Sequence, residues 1–422
     1  MISTLKNAWK IPDLRKRMLY TLLMIVIFRL GTFIPVPGLN SEVLQQLVEG
    51  DGNSLFALLN SFSGGSFSNA TIFAMSITPY INASIILQLL TVAIPALERL
   101  SKEGEEGRKV IAKWTRYITV VLAFIQATGL YFGIKGAVEN PGVMSYIVIV
   151  STFTAGTAFL MWLGEQITEK GIGNGISMII FAGIVSSVPT MVMDLYTKVQ
   201  LDAISIWVAI GIAVFAVLMV AFVVFITDAE RRIPVQYAKR MVGRKMYGGQ
   251  STHIPIKVAM AGVIPIIFAM SILAFPTTIM SFTGGMPTDG FWGAFWRAYS
   301  SGWLYLVLYF LLILFFTYFY TAIQFNPIEV ANNMKRNGGS IPGIRSGKPT
   351  SDYISKILTR ITLAGAIFLA VVACLPVLLG NILGVSIQIG GTSLLIMVGV
   401  ALETVKQLES QMLMRHYKGF LD

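Results

Sequence analysis

Apolar residues arrive in ten long runs separated by polar, often basic, stretches. The runs lie close to 17–35, 74–96, 117–134, 144–164, 175–193, 203–227, 257–280, 302–323, 356–380 and 391–408. A bilayer core of about 30 Å needs about 20 apolar residues as helix. Only helices or closed barrels satisfy backbone polar groups in lipid. These runs are too long and unbroken for barrel strands, so the pattern predicts an all-α integral membrane protein with ten transmembrane helices. The first run follows a basic stretch (Lys10, Arg15, Lys16, Arg17), as a secretory signal would. Pro35-Val36-Pro37-Gly38 follows it in place of a small-residue cleavage pattern, so it reads as a retained first span. A linker near 194–202 divides the spans into five and five, a division common among transport proteins. No clear sequence repeat relates the two sets.

Orientation follows from Lys and Arg, which favour cytoplasmic loops. The tail before span one holds Lys6, Lys10, Arg15, Lys16 and Arg17, and the loop after span two holds Arg99, Lys102, Arg108, Lys109, Lys113 and Arg116. The loop after span six holds Arg231, Arg232, Lys239, Arg240, Arg244, Lys245 and Lys257, and that after span eight holds Lys335, Arg336, Arg345, Lys348 and Lys356. The opposite loops hold only Lys135, Lys198 and Arg297. Both termini are therefore expected in the cytoplasm. Loops 228–256 and 325–355 are longer and more basic than orientation requires. They are candidate docking surfaces for an acidic or RNA-containing partner.

Segment 39–73 lies between spans one and two and has no Lys or Arg. Its Ser61-Phe62-Ser63-Gly64-Gly65-Ser66-Phe67-Ser68 stretch is small and semi-apolar, too short and polar to span. Leu55, Phe56, Leu58, Leu59, Phe62, Phe67, Ile72 and Phe73 favour a re-entrant piece sheltered inside the protein over a solvated loop.

Composition agrees with the pattern: 55% of the 422 residues are hydrophobic and only 13% charged, against about a quarter charged in soluble domains. The net charge of +11 first suggests nucleic-acid binding, but its placement is that of a membrane protein's inner loops. One cysteine, Cys374, excludes a disulfide framework, and two distant histidines, His253 and His416, argue against a metal centre.

No motif for nucleotide hydrolysis survives inspection. Gly243 and Gly248 have phosphate-loop spacing, but Gly249 stands where Lys is needed and no strand is expected before them. Gly171-Ile172-Gly173-Asn174-Gly175 reads as a tight turn between spans four and five. Ion-coupled transporters usually carry mid-membrane carboxylates or histidines, and here Glu165 and Glu403 lie toward span ends. Arg29 is the clear intramembrane charge, costing about 3 kcal/mol at a bilayer centre unless it snorkels or bonds to segment 39–73. Span two carries Ser76, Thr78, Pro79, Asn82, Ser84 and Gln88, dense enough for a helix that borders water part of the time. The chain thus offers a path without an engine: a passive conduit. The alternatives are a small-solute transporter, which needs a midplane ion site, and an intramembrane enzyme, for which no catalytic constellation is found.

Several segments resemble the SecY family of protein-translocation channels. They are Phe28-Arg29-Leu30-Gly31-Thr32-Phe33-Ile34-Pro35-Val36-Pro37-Gly38, Ile77-Thr78-Pro79-Tyr80-Ile81-Asn82-Ala83-Ser84-Ile85-Ile86, Gly164-Glu165-Gln166-Ile167-Thr168-Glu169 with Gly171 to Gly175, Gln250-Ser251-Thr252-His253-Ile254-Pro255, Ala261-Gly262-Val263-Ile264-Pro265, Phe325-Asn326-Pro327 and Gly390-Gly391-Thr392-Ser393-Leu394-Leu395-Ile396. The likeness runs over nearly the whole chain.

The resemblance implies two pseudo-symmetric five-helix halves, 1–200 and 201–422, around a central hourglass pore that passes unfolded secretory chains and releases apolar segments sideways. It implies a pore ring of Ile77, Ile81, Ile176, Ile180, Ile267 and Ile396. Independently, Ile77 and Ile81, like Ile176 and Ile180, are four apart and share a helix face. It implies a plug helix over Phe62, Ser63, Gly64, Gly65, Ser66, Phe67, Ser68, Asn69, Ala70, Thr71, Ile72 and Phe73. It implies a lateral gate between spans two and three and spans seven and eight, with Asn82, Gln88, Gln126, Ser271 and Phe275 as gate residues. Arg345, in Pro342-Gly343-Ile344-Arg345, joins Arg231, Arg232, Lys239, Arg240, Arg244 and Lys245 as a docking set for the SecA ATPase or ribosomal RNA. Further implied partners are the small membrane subunits SecE and SecG, signal peptides, nascent or precursor polypeptides and membrane lipid. The implied location is a bacterial cell membrane. No cofactor or metal is implied.

Overall fold

The computed structural model describes residues 2–50, 60, 63–201, 204–237, 240–242, 245–247, 251–282, 290–300, 303–383 and 391–418. Its helices are α1 (Ile2–Lys10), α2 (Pro12–Gly31), α3 (Ser41–Gly50), α4 (Thr78–Ala93), α5 (Pro95–Lys102), α6 (Glu105–Gly133), α7 (Val143–Lys170), α8 (Gly175–Gln200), α9 (Ile206–Asp228), α10 (Ile264–Phe282), α11 (Gly290–Ser300), α12 (Trp303–Gln324), α13 (Pro327–Arg336), α14 (Lys348–Leu383) and α15 (Gly391–Lys418). The ten expected spans correspond to α2, α4, α6, α7, α8, α9, α10, α12, α14 and α15.

Seven described helices are long and apolar enough to cross a bilayer unaided: α6, α7, α8, α9, α12 running into α13, α14 and α15. The other three differ from plain runs for local reasons. α2 carries Asp13, Arg15, Lys16, Arg17 and Arg29. Span two begins at Thr78 rather than 74, and α4 breaks from α5 with a bend of 103°. Pro95 causes the break, because the residue before a proline avoids helical geometry; Ile94 sits at φ −109°, ψ 112°. Span seven begins at Ile264, because β4 runs to Lys257 and left-handed Gly262 (φ +60°) interrupts the chain before Pro265 starts the helix. The linker expected near 194–202 is instead helical to Gln200: α8 continues past its apolar run.

Two of the quoted motifs are helix starts. Asn174 caps α8, its side chain accepting from Ile176 N and Ser177 N. Asn326 caps α13 in the same way through Ile328 N and Glu329 N, with Pro327 in the first turn. The turn before α8 is fixed by Gly173 at φ +84° and by Ile172 N donating to Thr21 Oγ1 (3.0 Å), which ties it to α2.

A small sheet lies outside the helices, where helices and loops alone were expected. β1 (Glu230–Tyr237) pairs antiparallel with β4 (Ser251–Lys257) and with β5 (Gly339–Ser340), while β2 (Arg240–Val242) and β3 (Lys245–Tyr247) form a separate ribbon. A strand therefore does precede Gly243, against expectation. It leads to another strand, β3, where a phosphate loop would lead to a helix.

Candidate functional site: an apolar throat and its seated segment

Five of the six ring isoleucines meet in one place. Ile180 and Ile396 are buried, and Ile81, Ile176 and Ile267 pack against them with Ile184, Val400, Met178, Phe181, Val263 and Met397. Four helices contribute: α4, α8, α10 and α15. Ile77 sits one turn before Ile81 at the N-cap of α4, its carbonyl accepting from Ile81 N (3.1 Å). It lies in the adjoining cluster with Phe28, Phe73, Leu160 and Ile179, which shares Ile81 and Ile176 with the first. Ile184 and Val400 were missed in the sequence, although each lies four residues on from a ring position and so on its face.

Segment 63–77 enters the adjoining cluster through Ile72, Phe73 and Ile77, sheltered as the sequence suggested. Ser63, Ser66, Phe67, Ala70, Thr71, Phe73, Ala74, Met75 and Ser76 are all buried. The helix expected over 62–73 is not formed over 64–73; residues 64–77 run as successive turns, broken by a bridge at Thr71. Gly64 and Gly65 adopt φ +64° and +86°, and Ala70 and Ser76 adopt φ +52° and +53°, which no right-handed helix allows. Side chains take the backbone's bonds: Ser66 Oγ donates to Ser63 O (2.7 Å), Thr71 Oγ1 to Ser66 O (3.0 Å) and Ser68 Oγ to Gly65 O (3.0 Å), while Asn60 Oδ1 accepts from Ser68 N (3.0 Å). The stretch after α2 pairs with it, Val36 N donating to Ala70 O (2.8 Å) and Ile72 N to Ile34 O (3.1 Å).

Three glycines make the seat. A Cβ on Gly31 of α2 would lie 2.1 Å from the Phe73 ring, and one on Gly156 of α7 would lie 2.1 Å from Ile72 O. Gly64 itself approaches Gly183 of α8, where its Cβ would lie 2.9 Å from Cα. Small residues let backbones touch in membrane bundles. Nothing local in the sequence marks Gly156 or Gly183, because their partners lie far along the chain. Arg29 bridges the same place: its Nη1 donates to Gly64 O (3.2 Å) and Ser186 Oγ (3.1 Å).

At the seam between α4/α6 and α10, Asn82, Gln126 and Ser271 are half-buried and Gln88 is exposed. Gln88 Nε2 donates to Ser84 Oγ (3.4 Å) on its own helix. Among the described residues, no hydrogen bond joins these side chains across the seam. The contact is apolar: Ile85 is buried among Ile266, Phe268, Ala269, Met270 and Leu273 of α10, with Leu89 beside it.

The basic loops fold together. Ile233, Val235 and Ile256 of the sheet pack on Met334, Ile341, Ile354 and Leu358, while Arg232 on the alternate face and Arg231 near the start of β1 are exposed. Arg232 Nε pairs with Glu230 Oε1 (2.7 Å). Arg345 is exposed on a turn between left-handed Gly343 (φ +80°) and Gly347 (φ +103°), its carbonyl accepting from Thr350 Oγ1 (2.8 Å). β5 joins the loop of Arg345 to that of Arg231 and Arg232. Phe62, Lys239 and Arg244 lie outside the described residues, as do the side chains of Phe275, Arg240 and Lys245.

Apolar side chains from four apolar helices meet in one cluster, and the described helices define the class: a multi-pass α-helical membrane protein. The SecY family model matches residues 71–405. The chain is 50% identical to the protein translocase subunit SecY of Halalkalibacterium halodurans, with all of both chains covered. Among solved structures it is similar to that of "The plug domain of the SecY protein stablizes the closed state of the translocation channel and maintains a membrane seal" (TM-score 0.66, 18% identity, covering 94% of this chain and 92% of that one). It is also similar to Sec61 in the canine ribosome-channel complex from the endoplasmic reticulum (TM-score 0.61, 15% identity, covering 94% and 92%). The chain belongs to the SecY family. It is a protein-conducting channel subunit of a translocase, a pore and not an enzyme.

Proposed function

We propose that Ile81, Ile176, Ile180, Ile267 and Ile396, with Ile77 at their edge, form the constriction through which an unfolded secretory chain passes. The two five-helix halves, 1–200 and 201–422, would meet there around an hourglass path. The observation that carries this reading is the convergence of those isoleucines from four helices into one cluster. An apolar waist dewets and so excludes ions, yet holds no passing side chain tightly. Segment 62–73 acts as the plug and closes the throat from one side. The seam of α4 and α6 against α10 is the lateral gate, through which apolar segments and signal peptides reach lipid.

The protein sits in a bacterial cell membrane with both termini and the basic loops cytoplasmic, and SecE and SecG accompany it. The exposed Arg231, Arg232 and Arg345, with Lys239, Arg240, Arg244 and Lys245, engage either SecA or ribosomal RNA. The ribosome-bound state of the Sec61 neighbour supports the latter partner. Site-specific crosslinking tests the throat. A precursor stalled in transit is expected to crosslink to probes at Ile81, Ile180 and Ile396; crosslinks confined to lipid-facing positions such as Val217 or Phe225 would overturn the reading.

A further inference from the structure

We infer that Arg29 is a positioning residue that clasps the plug segment to α8 and thereby sets how readily the resting channel opens. This rests on reading 62–73 as the plug.

Arg29 lies on the last turn of α2, half-buried within an otherwise apolar span. A charge there is costly unless it finds fixed partners. It finds two. Nη1 reaches Gly64 O at 3.2 Å and Ser186 Oγ at 3.1 Å. The Ser186 hydroxyl spends its proton on Gly183 O (2.7 Å), so its lone pairs are left for the guanidinium. The Phe33 ring covers the guanidinium at 5.1 Å. Gly64 is suited to the position twice over. Its φ of +64° is left-handed, and a Cβ would lie 2.7 Å from Ser186 Oγ and 2.9 Å from Gly183 O. One cation thus joins three elements: span one, the plug and span five.

The clasp exists only while the plug is seated. When the segment leaves, Gly64 O loses its charged donor and Arg29 keeps only Ser186. Removing the guanidinium therefore favours the open state without altering any throat side chain. A charge-assisted hydrogen bond in a desolvated place biases such an equilibrium on the order of tenfold. Were Arg29 merely a strut between α2 and α8, its loss would weaken the fold and leave the plug seated.

The test uses the full chain, with its companion subunits, in vesicles that transport a precursor. Ser66, wholly buried in the seated segment, is replaced by Cys, and buried Cys374 by Ala. The idle channel is then treated with a membrane-impermeant maleimide. Arg29→Gln is expected to raise both the labelling rate and the idle ion conductance about tenfold, with precursor transport retained. Arg29→Lys, which keeps a charged donor, is expected to restore most of the protection. Unchanged labelling in an Arg29→Gln channel that still transports overturns the clasp and leaves the channel reading standing. If the parent chain transports nothing, the channel reading fails and the clasp with it. Should Arg29→Gln not accumulate, Ser186→Ala decides: labelling several-fold faster supports the clasp, and the parent rate overturns it.

Discussion

Gly156 and Ile72 approach so closely that backbone meets backbone, and no side-chain motion can relieve an added methyl there. Overpacking of this kind costs about 1–3 kcal/mol. Gly156→Val is therefore expected to lower the thermal stability of the purified complex and to unseat residues 63–77. Gly211→Val, on α9 where nothing lies within 4 Å, serves as the inert control; equal melting of the two variants would refute the seat. The throat makes a different demand. In the proposed seal its isoleucines would work by excluding water, so one hydroxyl would change little and several would change the state of the gap. Replacing Ile81, Ile180 and Ile396 together by Ser is expected to raise ion leakage through the idle channel several-fold, read as single-channel conductance in planar bilayers. Unchanged conductance counts against the proposed seal.

The small sheet couples two loops through the short β5, whose Ser340 pairs with Gln236 of β1. Gly339 of β5 pairs with Tyr237 of β1, and a Cβ at Gly339 would lie 2.9 Å from the Tyr237 ring. Gly339→Val is expected to part β5 from β1, seen as faster tryptic cleavage after Arg231, Arg232, Lys335 and Arg336. Tyr237→Ala, by making room, should reverse the effect; no reversal would mean the loops hold together by other contacts. Arg345→Glu leaves this sheet intact and inverts one exposed charge. It is expected to abolish precursor transport while membrane insertion of the channel continues, and unimpaired transport into vesicles would refute its docking role. The helices were legible in the sequence because twenty apolar residues in a row admit few other structures. The sheet was not, because Arg231-Arg232-Ile233-Pro234-Val235 reads as a basic loop until Ile233 and Val235 are known to face Met334 and Leu358. The seated segment was legible as sheltered but not in its conformation. Its semi-apolar composition fits burial, whereas left-handed Ala70 lies where residues 34–36 pair with 70–72, a contact far along the chain. The ring isoleucines were located by resemblance; spacing alone would have left them as ordinary lipid-facing or core residues.

Across the whole molecule, the proposed lateral gate requires the seam that holds α4 against α10 also to part. Among the described residues no hydrogen bond crosses it, and Ile85 supplies the buried contact. Lipid tails are as apolar as leucine, so opening this seam loses close packing but exposes nothing to water. That makes the closed state easy to tune by volume. Ile85→Ala removes packing worth about 2 kcal/mol, the low end for such a truncation, which shifts an opening equilibrium by roughly thirtyfold. The half-buried Asn82, Gln126 and Ser271 gain little from closure, since none bonds across, and in the proposed gate they would offer polar partners to a chain threading the gap. Ile85→Ala is therefore expected to let less hydrophobic segments leave sideways into the bilayer. The measurement is a series of test segments of increasing leucine content, scored for integration against full translocation. In the variant the midpoint should move to fewer leucines, while transport of a soluble precursor stays as in the parent. An unmoved midpoint would mean that the resistance to lateral release lies elsewhere than in the packing of Ile85 on α10.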